Sequence, residues 1–242
     1  MTARLHGVVV PANELSPAEM ARMYKLHAAH YEGVDPGRFR QDLAEKDWAI
    51  LLRDEEQRLV GFSTQKLLTT ETKQGPVRAL FSGDTIIARE HWGTQELVRA
   101  WCRFAGWLLA AEPETPFYWF LISKGYRTYL YLPLFFHEYF PRRDTPIPAH
   151  LQRLLDSLAA SKFGAEYDPA TGLITPNGPH DRLKPELDAT PRRAANPDVA
   201  FFREKNPRYF EGIELACLAE ISVGNTRGAA RRELEAGMRT PI

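Results

Sequence analysis

Asp84 is a carboxylate in the middle of a predicted strand. Its neighbours are Gly83 and Thr85, and the strand continues with the apolar Ile86 and Ile87. A charged group in such a strand is costly to bury unless it has a partner or a use. Two interpretations fit: Asp84 is a general base, or it caps a bulge or pairs with an arginine.

A polar turn separates this strand from a predicted helix over residues 95–110. The apolar face of that helix consists of Leu97, Val98, Trp101, Phe104, Ala105, Leu108 and Leu109. A helix N-terminus has free N–H groups and a partial positive charge, so it binds phosphate without a lysine. Gly93 lies where the chain must approach a ligand closely. The turn therefore predicts an anion-binding site.

Composition sets limits on the class of protein. The chain has 242 residues, of which 44% are hydrophobic, so it can bury a full core. Its 31 basic residues are balanced by 31 acidic ones. A surface that neutralises phosphates would leave a basic excess, so no nucleic-acid partner is expected.

Other site signatures are weak. Cys102 and Cys217 are predicted on a buried helix face and a buried strand, so no disulfide framework is expected. His27 and His30 lack a second pair with metal-ligand spacing, so no metal is expected. No charged-then-apolar leader opens the chain, and no apolar run reaches about 20 residues, so a cytoplasmic protein without a membrane span is expected.

The predicted elements alternate along the chain. Ser16 and Glu19 form a capping box that opens a helix to about residue 31. The further elements are a helix over 38–45, strands over 48–53, 59–69 and 77–88, the helix over 95–110, a strand over 117–123 and an interior helix over 126–140.

This order resembles the GNAT superfamily of acyltransferases from about residue 5 to residue 141. The resemblance implies an α/β (α+β) fold with a central mixed sheet flanked by helices. In that family the turn carries an Arg/Gln-x-x-Gly-x-Gly/Ala pattern that holds the pyrophosphate of coenzyme A. The positions that match here are Glu90, His91, Trp92, Gly93, Thr94 and Gln95, and only the first glycine is kept. The donor is therefore acyl-CoA or the acyl-phosphopantetheine of a carrier protein.

The chemistry implied by the resemblance is transfer of an acyl group from a thioester to an amine. Asp84 is then the general base, directly or through water. The family draws its general acid from the helix after the last core strand, where Tyr129 and His137 are the candidates. The residues expected to bind the donor are Ile86, Ile87, Ala88, Trp92, Gly93, Thr94 and Gln95.

The aromatic and aliphatic residues of 117–121 and 130–136 suggest room for a medium or long acyl chain. The alternative is that they fill the core. The acceptor is an amine of a small molecule or a peptide. Two other functions stay open: a non-catalytic module that binds an acyl carrier or another protein, and a thioester hydrolase that needs no amine.

Three regions are expected along the chain. Residues 1–145 form the GNAT-like domain. Residues 146–224 form an extension that packs on the core and shapes the acceptor side. Residues 225–242 form a mobile tail or a helix that needs a partner.

Overall fold

The computed structural model describes residues 4–188 and 195–240. The strands are β1 (His6–Pro11), β2 (Tyr31–Glu32), β3 (Trp48–Arg53), β4 (Leu59–Thr72), β5 (Gly75–Ile87), β6 (Phe117–Ser123), β7 (Tyr167–Asp168), β8 (Leu173–Ile174), β9 (Arg182–Leu183) and β10 (Glu214–Glu220). The helices are α1 (Pro17–His30), α2 (Pro36–Ala44), α3 (Glu96–Ala111), α4 (Tyr126–Tyr129), α5 (Tyr131–Phe135), α6 (Ala149–Phe163), α7 (Pro197–Lys205) and α8 (Gly228–Arg239).

Within the described residues, eight strands form one sheet in the order β1-β3-β4-β5-β6-β10-β8-β7, and β2 pairs with β9. Neighbouring strands of the large sheet are antiparallel except β5 and β6, which are parallel. From β1 to β6, the order of the main strands and helices is the one that the GNAT resemblance implies. The predicted α/β fold with a mixed central sheet is confirmed.

The side chains of β5 alternate between two cores, as in any strand covered on both faces. Leu80 joins the core that contains Phe104 and Leu108 of α3. Ala79 and Phe81 join a second core with the apolar face of α6. The central strand is therefore fixed from both sides up to residue 82, where the site begins.

The strands β5 and β6 separate in the middle of the sheet. Their parallel pairing runs from Arg78 opposite Phe117 to Ser82 opposite Leu121, and then ends. Beyond it β5 continues to Ile87 along β4 alone. The two strands therefore diverge, and the cavities described below lie in and beside this opening.

The helix predicted over residues 126–140 is interrupted. It consists of α4 and α5, and Phe136 already has extended backbone with φ −122° and ψ 146°. The reason is tertiary: the N–H of His137 donates to the carbonyl of Asn225, and Phe140 exchanges backbone hydrogen bonds with Leu218 of β10. Pairing with the end of the chain replaces the last helical turns.

The expectation of a mobile tail is corrected over residues 228–239, which form α8 packed on α3. The helices approach closely because Gly106 and Gly237 have no Cβ atom, which would collide with the backbone of the other helix. Arg103 Nε also donates to Glu233 Oε2 at 2.7 Å. Residues 228–239 therefore form a helix in close contact with α3.

The predicted extension over 146–224 is joined to the main sheet, because it supplies β10, which pairs with β6. Cys102 and Cys217 are buried free thiols. No helix in the described ranges has the length and apolar character needed to cross a bilayer.

Candidate active site

A cavity of about 270 Å³ lies beside the point where β5 and β6 diverge. Its walls come from α1, α2, β5, the chain after β6, α6 and the start of β10. The charged and polar side chains that line it include His27, Tyr31, Arg38, Asp42, Lys46, Asp84, Thr85, Lys124, Lys162, Asp181 and Glu214.

A bulge turns Asp84 toward this cavity. The register between β4 and β5 shifts so that Ser63 pairs with Thr85 while Gln65 pairs with Ser82, which leaves two residues of β5 opposite one of β4. Ser82 and Thr85 both bond into the side-chain network of Ser63 and Gln65. Because strand side chains alternate, the extra residue places Asp84 on the opposite face.

Within the cavity, Asp84 pairs with a histidine rather than with an arginine. His27 Nδ1 lies 3.3 Å from Asp84 Oδ2, and His27 Nε2 lies 3.0 Å from Asp181 Oδ2. Burial alone would lower the pKa of His27, but the two carboxylates outweigh burial and raise it to about 9. The imidazole is therefore a cation at neutral pH.

The carboxylates respond in the opposite direction. Burial works to raise the pKa of Asp84, but the charge of His27 outweighs it and the pKa falls below its usual range. The pKa of Asp181 is lowered in the same way, by His27 and Lys124 against burial. The Asp84 side chain is 28% exposed, so the ionised carboxylate can meet a ligand in the cavity.

Lys124 completes the cluster from the chain just after β6. Its Nζ lies 3.0 Å from Asp181 Oδ2 and 3.0 Å from Glu214 Oε1. Burial raises the pKa of Glu214, while the pKa of Lys124 is raised by Glu214 and Asp181 despite burial. With all five groups ionised, three carboxylates face two cations, so the cluster has a net charge of −1.

Asp181 belongs to a loop that is fixed on the end of α1. Lys184 donates from Nζ to the carbonyls of Ala28 and Ala29, at 2.9 and 3.2 Å. Its backbone N–H donates to the carbonyl of His30, and β9 pairs with β2 beside it. The 3.0 Å contact between Asp181 and His27 is therefore held by backbone as well as by charge.

A second cavity, of about 110 Å³, lies on the other side of Thr85. Ile86, Ile87 and Trp92 line it, as do Arg127 and Leu183. The residues common to both cavities are Tyr31, Thr85, Lys124 and Thr128. A ligand that fills the second cavity would therefore reach the charged cluster at Thr85.

The predicted donor-binding residues have different surroundings. Ile86, Ile87 and Trp92 line the second cavity, and Gly93 has φ +96° beside an outer opening that Arg127 also lines. Ala88 is corrected: its N–H donates to the carbonyl of Val60, so the amide is not free for a donor.

Two guanidinium groups lie close to the turn, and that of Arg89 is 6.0 Å from the centre of the Trp92 ring. The guanidinium of Arg127 lies 3.9 Å from the centre of the Trp92 ring, and the Trp92 indole N–H donates to the carbonyl of Ile87 at 2.8 Å. Thr94 Oγ1 accepts from the N–H of Glu96, and Gln95 makes no side-chain cap. Glu96 places a carboxylate in the first turn of α3.

Neither predicted general acid lies in these cavities. The Tyr129 ring is buried, and its hydroxyl donates to the carbonyl of Pro141 at 2.9 Å. His137 is exposed, and its backbone is bonded to Asn225 and Arg142. The structure therefore places both apart from Asp84: the Tyr129 hydroxyl is bonded to Pro141, and His137 lies where the chain after α5 pairs with Asn225.

The aromatic run that suggested a long acyl chain mostly fills the core. Phe117, Trp119, Phe120 and Leu121 are each at most 4% exposed. The apolar opening between the diverging strands holds only about 30 Å³, bounded by Trp101 and by other residues of the core on the α3 side of the sheet. That volume is about that of one or two water molecules.

Sequence reasoning missed most of the cluster: His27, Lys124, Asp181 and Glu214. Lys124 follows the end of a buried strand and Glu214 opens another, which is a signal because adjacent strand ends meet at one edge of a sheet. His27 lies on the helix that covers that edge. Asp181 lies in a loop, and its place depends on contacts 154 residues apart in the chain.

Comparison with known proteins gives a partial likeness. No protein-family model matches the chain. No curated protein matches it. Among solved structures, it is similar to a protein of unknown function from Enterococcus faecalis V583, described as a probable N-acyltransferase, at 14% identity and a TM-score of 0.39. That match covers 52% of this chain and 31% of the other.

Two structures from Escherichia coli are also similar. One is the GNAT family N-acetyltransferase YhbS in complex with CoA, at 12% identity and a TM-score of 0.35, with 51% of this chain and 66% of the other covered. The other is ElaA, at 15% identity and a TM-score of 0.38, with 58% of this chain and 95% of ElaA covered. The chain spans less than two thirds of the length of the Enterococcus protein and of YhbS.

The order of elements and the divergence of β5 and β6 give the chain a GNAT-type fold. At such low identities and TM-scores, the similar structures add no residue roles. The function proposed next therefore stands on the cavity itself.

Proposed function

We propose that this protein is an N-acyltransferase that moves an acyl group from a thioester to an amine. The observation that carries the proposal is the charged cluster around Asp84, which lies where the cavity meets the opening between β5 and β6. An accessible carboxylate, two buried cations and a net charge of −1 suit a site that attracts an ammonium ion and accepts the acidic proton of the nitrogen once it has attacked the carbonyl.

Asp84 is the proposed base. The bound ammonium ion first loses one proton to solvent water, because only a neutral amine has a lone pair. The amine nitrogen then attacks the thioester carbonyl carbon, the nitrogen–carbon bond forms, and the second proton lost by nitrogen goes to the Asp84 carboxylate, directly or through water. The carbon–sulfur bond then breaks, and the thiolate leaves. A thiol has a pKa near 8.5, so protonated Asp84 is acidic enough to return the proton to sulfur. The products are an amide and a free thiol.

His27 and Lys124 act as positioning residues. His27, as a cation between Asp84 and Asp181, keeps Asp84 ionised and fixes its orientation. Lys124 neutralises Asp181 and Glu214 so that the excess negative charge is available at Asp84. Neither needs to touch the acyl group for this role.

The donor is proposed to approach through the second cavity, with its phosphate end at the turn. Gly93, the first turn of α3 and the guanidinium of Arg127 are groups that favour an anion. The carboxylate of Glu96 opposes a highly charged diphosphate. Both coenzyme A and a carrier protein are therefore kept as donors in the test.

A short acyl group fits the opening between the strands better than a long one. The apolar space there is about 30 Å³, and the large aromatic residues around it are buried in the core. We therefore propose an acetyl-sized group, in place of the longer chain that the sequence suggested.

The test measures thiol release and product mass with acetyl and octanoyl thioesters of coenzyme A and of a carrier protein, with and without a panel of primary amines. We expect thiol release that depends on the amine. Asp84→Asn should lower turnover by about 10²- to 10⁴-fold, because it removes the base, while donor binding is retained. Asp144→Asn, which removes an exposed carboxylate paired with Arg142, is the matched control.

The other outcomes separate the alternatives. Thiol release without any amine would indicate a hydrolase. Donor binding without turnover in either the native protein or the variant would support the non-catalytic module, for which the carboxylates in the turn are the specific observation. Unchanged turnover in Asp84→Asn would contradict the proposed base.

A further inference from the structure

Two lysines lie at one end of the same cavity and have no part in the proposed proton transfer. Lys46 Nζ lies 5.9 Å and Lys162 Nζ lies 4.7 Å from the centre of the Phe81 ring. Both lysines line the cavity that Asp84 lines. Phe81 and Asp84 are three residues apart on β5 and both line this cavity, so the lysines and the carboxylate cluster face the same space.

Both ammonium groups are largely removed from solvent. The Lys46 side chain is 1% exposed and that of Lys162 is 12% exposed. Burial and the charge of Lys46 lower the pKa of Lys162. Two cations held close together in a cavity repel each other, and a bound anion would relieve that repulsion.

The carboxylates paired with these lysines are half-exposed, although Lys46 Nζ also donates to the backbone carbonyl of Asp42 at 3.0 Å. Lys46 Nζ pairs with Asp42 Oδ1 at 2.5 Å, but that carboxylate is 48% exposed. The carboxylate nearest to Lys162 in the described residues is that of Glu45, which is 54% exposed and 3.6 Å away. Within the same residues, no hydrogen bond is made by the Lys162 ammonium, so its donors are available.

The strand beside the lysines is shaped to admit Lys46. A Cβ atom at Gly83 would lie 2.9 Å from Lys46 Cε and 2.7 Å from Thr64 Oγ1, so a larger residue would displace the lysine.

We infer that the acceptor is an amine that also carries an anionic group, a carboxylate or a phosphate. Its ammonium faces Asp84 and its anionic group lies between Lys46 and Lys162. This inference rests on the proposed N-acyl transfer and specifies its acceptor. It also explains why two largely buried lysines line the cavity that Asp84 lines.

The experiment compares pairs of amines that differ only in the anionic group. The probes are O-phosphoethanolamine against ethanolamine, and three amino acids against their amides, each measured for acetyl transfer and, by calorimetry without donor, for binding. We expect the anionic member of at least one pair to have a KM and a dissociation constant lower by about 10- to 100-fold, as for hydrogen bonds to charged groups. The two kinds of pair distinguish a phosphate from a carboxylate.

The variants assign the preference to the lysines. Lys162→Met and Lys46→Met should remove the preference for the anionic member of each pair, and Lys162→Arg should keep most of it. Lys73→Met, which removes an exposed lysine elsewhere, is the control for loss of charge. A thermal melt of each variant shows that it is folded.

Equal affinities for the two members of every pair would overturn the inference, as would a preference that survives both Lys→Met substitutions. Failure of the proposed function has a different signature, since no amine would then be acylated by any donor. In that case the calorimetric arm still tests the anion site, because it needs no turnover.

Discussion

The two sides of Thr85 differ in how they are built. On one side, the charged cavity assembles side chains from α1, β5, the end of β6, a distant loop and β10. On the other, the turn between β5 and α3 is one continuous stretch of eight residues, 88–95. A local turn can therefore be recognised in the sequence even where its ligand-binding motif is incomplete. A site built from residues far apart in the chain has no sequence motif by which it could be recognised.

The difference also predicts where substitutions matter. In the cavity, each charged group supports others, so removing one leaves unpaired charge in a buried place. In the turn, a Cβ atom added at Gly93 would meet no other atom within 4 Å. A substitution there therefore acts through backbone strain alone. Stability and activity should therefore respond strongly on one side and weakly on the other.

The largest effect on stability is expected from Lys124→Met. It leaves Asp181 and Glu214 without their shared cation, and we expect a loss of about 3–5 kcal/mol in the free energy of unfolding, measured by urea denaturation. Lys73→Met should change it by less than about 0.5 kcal/mol. Recovery of part of the loss in a Lys124→Met, Glu214→Gln double variant would identify charge as the cause. A loss below about 1 kcal/mol would show that the cluster is not coupled as described.

The next effect is a dependence of stability on pH. The pKa of His27 is raised from 6.5 to about 9 in the folded protein. Its contribution to stability is therefore complete below pH 6.5 and is lost as the pH rises toward 9, by about 3 kcal/mol at 1.36 kcal/mol for each pKa unit. Urea denaturation at both pH values measures it.

His27→Gln is the control for this pH dependence, since glutamine does not titrate. Its stability should fall less than that of the native protein over the same pH interval. An identical fall in both proteins would assign the effect to other groups. The lowered pKa values of Asp84 and Asp181 act at the acidic end, where their contribution is lost as the pH falls through the folded values.

The fold was largely predictable because its elements have local signals. The capping box at Ser16 is present. The strands of the structure begin and end within a few residues of the predicted bounds. The helix over 126–140 was not predictable from its apolar pattern, because hydrogen bonds from residues near Leu218 decide where it ends.

The candidate site was predictable only in part. Asp84 was singled out because a carboxylate in a buried strand needs an explanation, and the structure gives it a bulge and a histidine partner. Tyr129 came from the family pattern and proved to be bonded to Pro141 instead. Asp181 has no local signal, because its position depends on the pairing of β9 with β2.

The smallest effect is expected in the turn. Gly93 has φ +96°, so an alanine there adopts a strained backbone. Gly93→Ala should lower the free energy of unfolding by about 1–2 kcal/mol, measured by denaturation, and should also weaken donor binding. Gly125→Ala is a matched control, because Gly125 has extended backbone at φ −155° and open space around it, so no loss is expected. Equal effects at both positions would remove the role given to the turn.

The most direct test of the central claim is a crystal structure of the protein with coenzyme A bound. The account predicts that the sulfur lies between β5 and β6 near Thr85, where the two cavities meet, with the Asp84 carboxylate facing it across the charged cavity. A sulfur atom found on another surface, with the opening beside Thr85 unoccupied, would contradict the proposed acyl-transfer site.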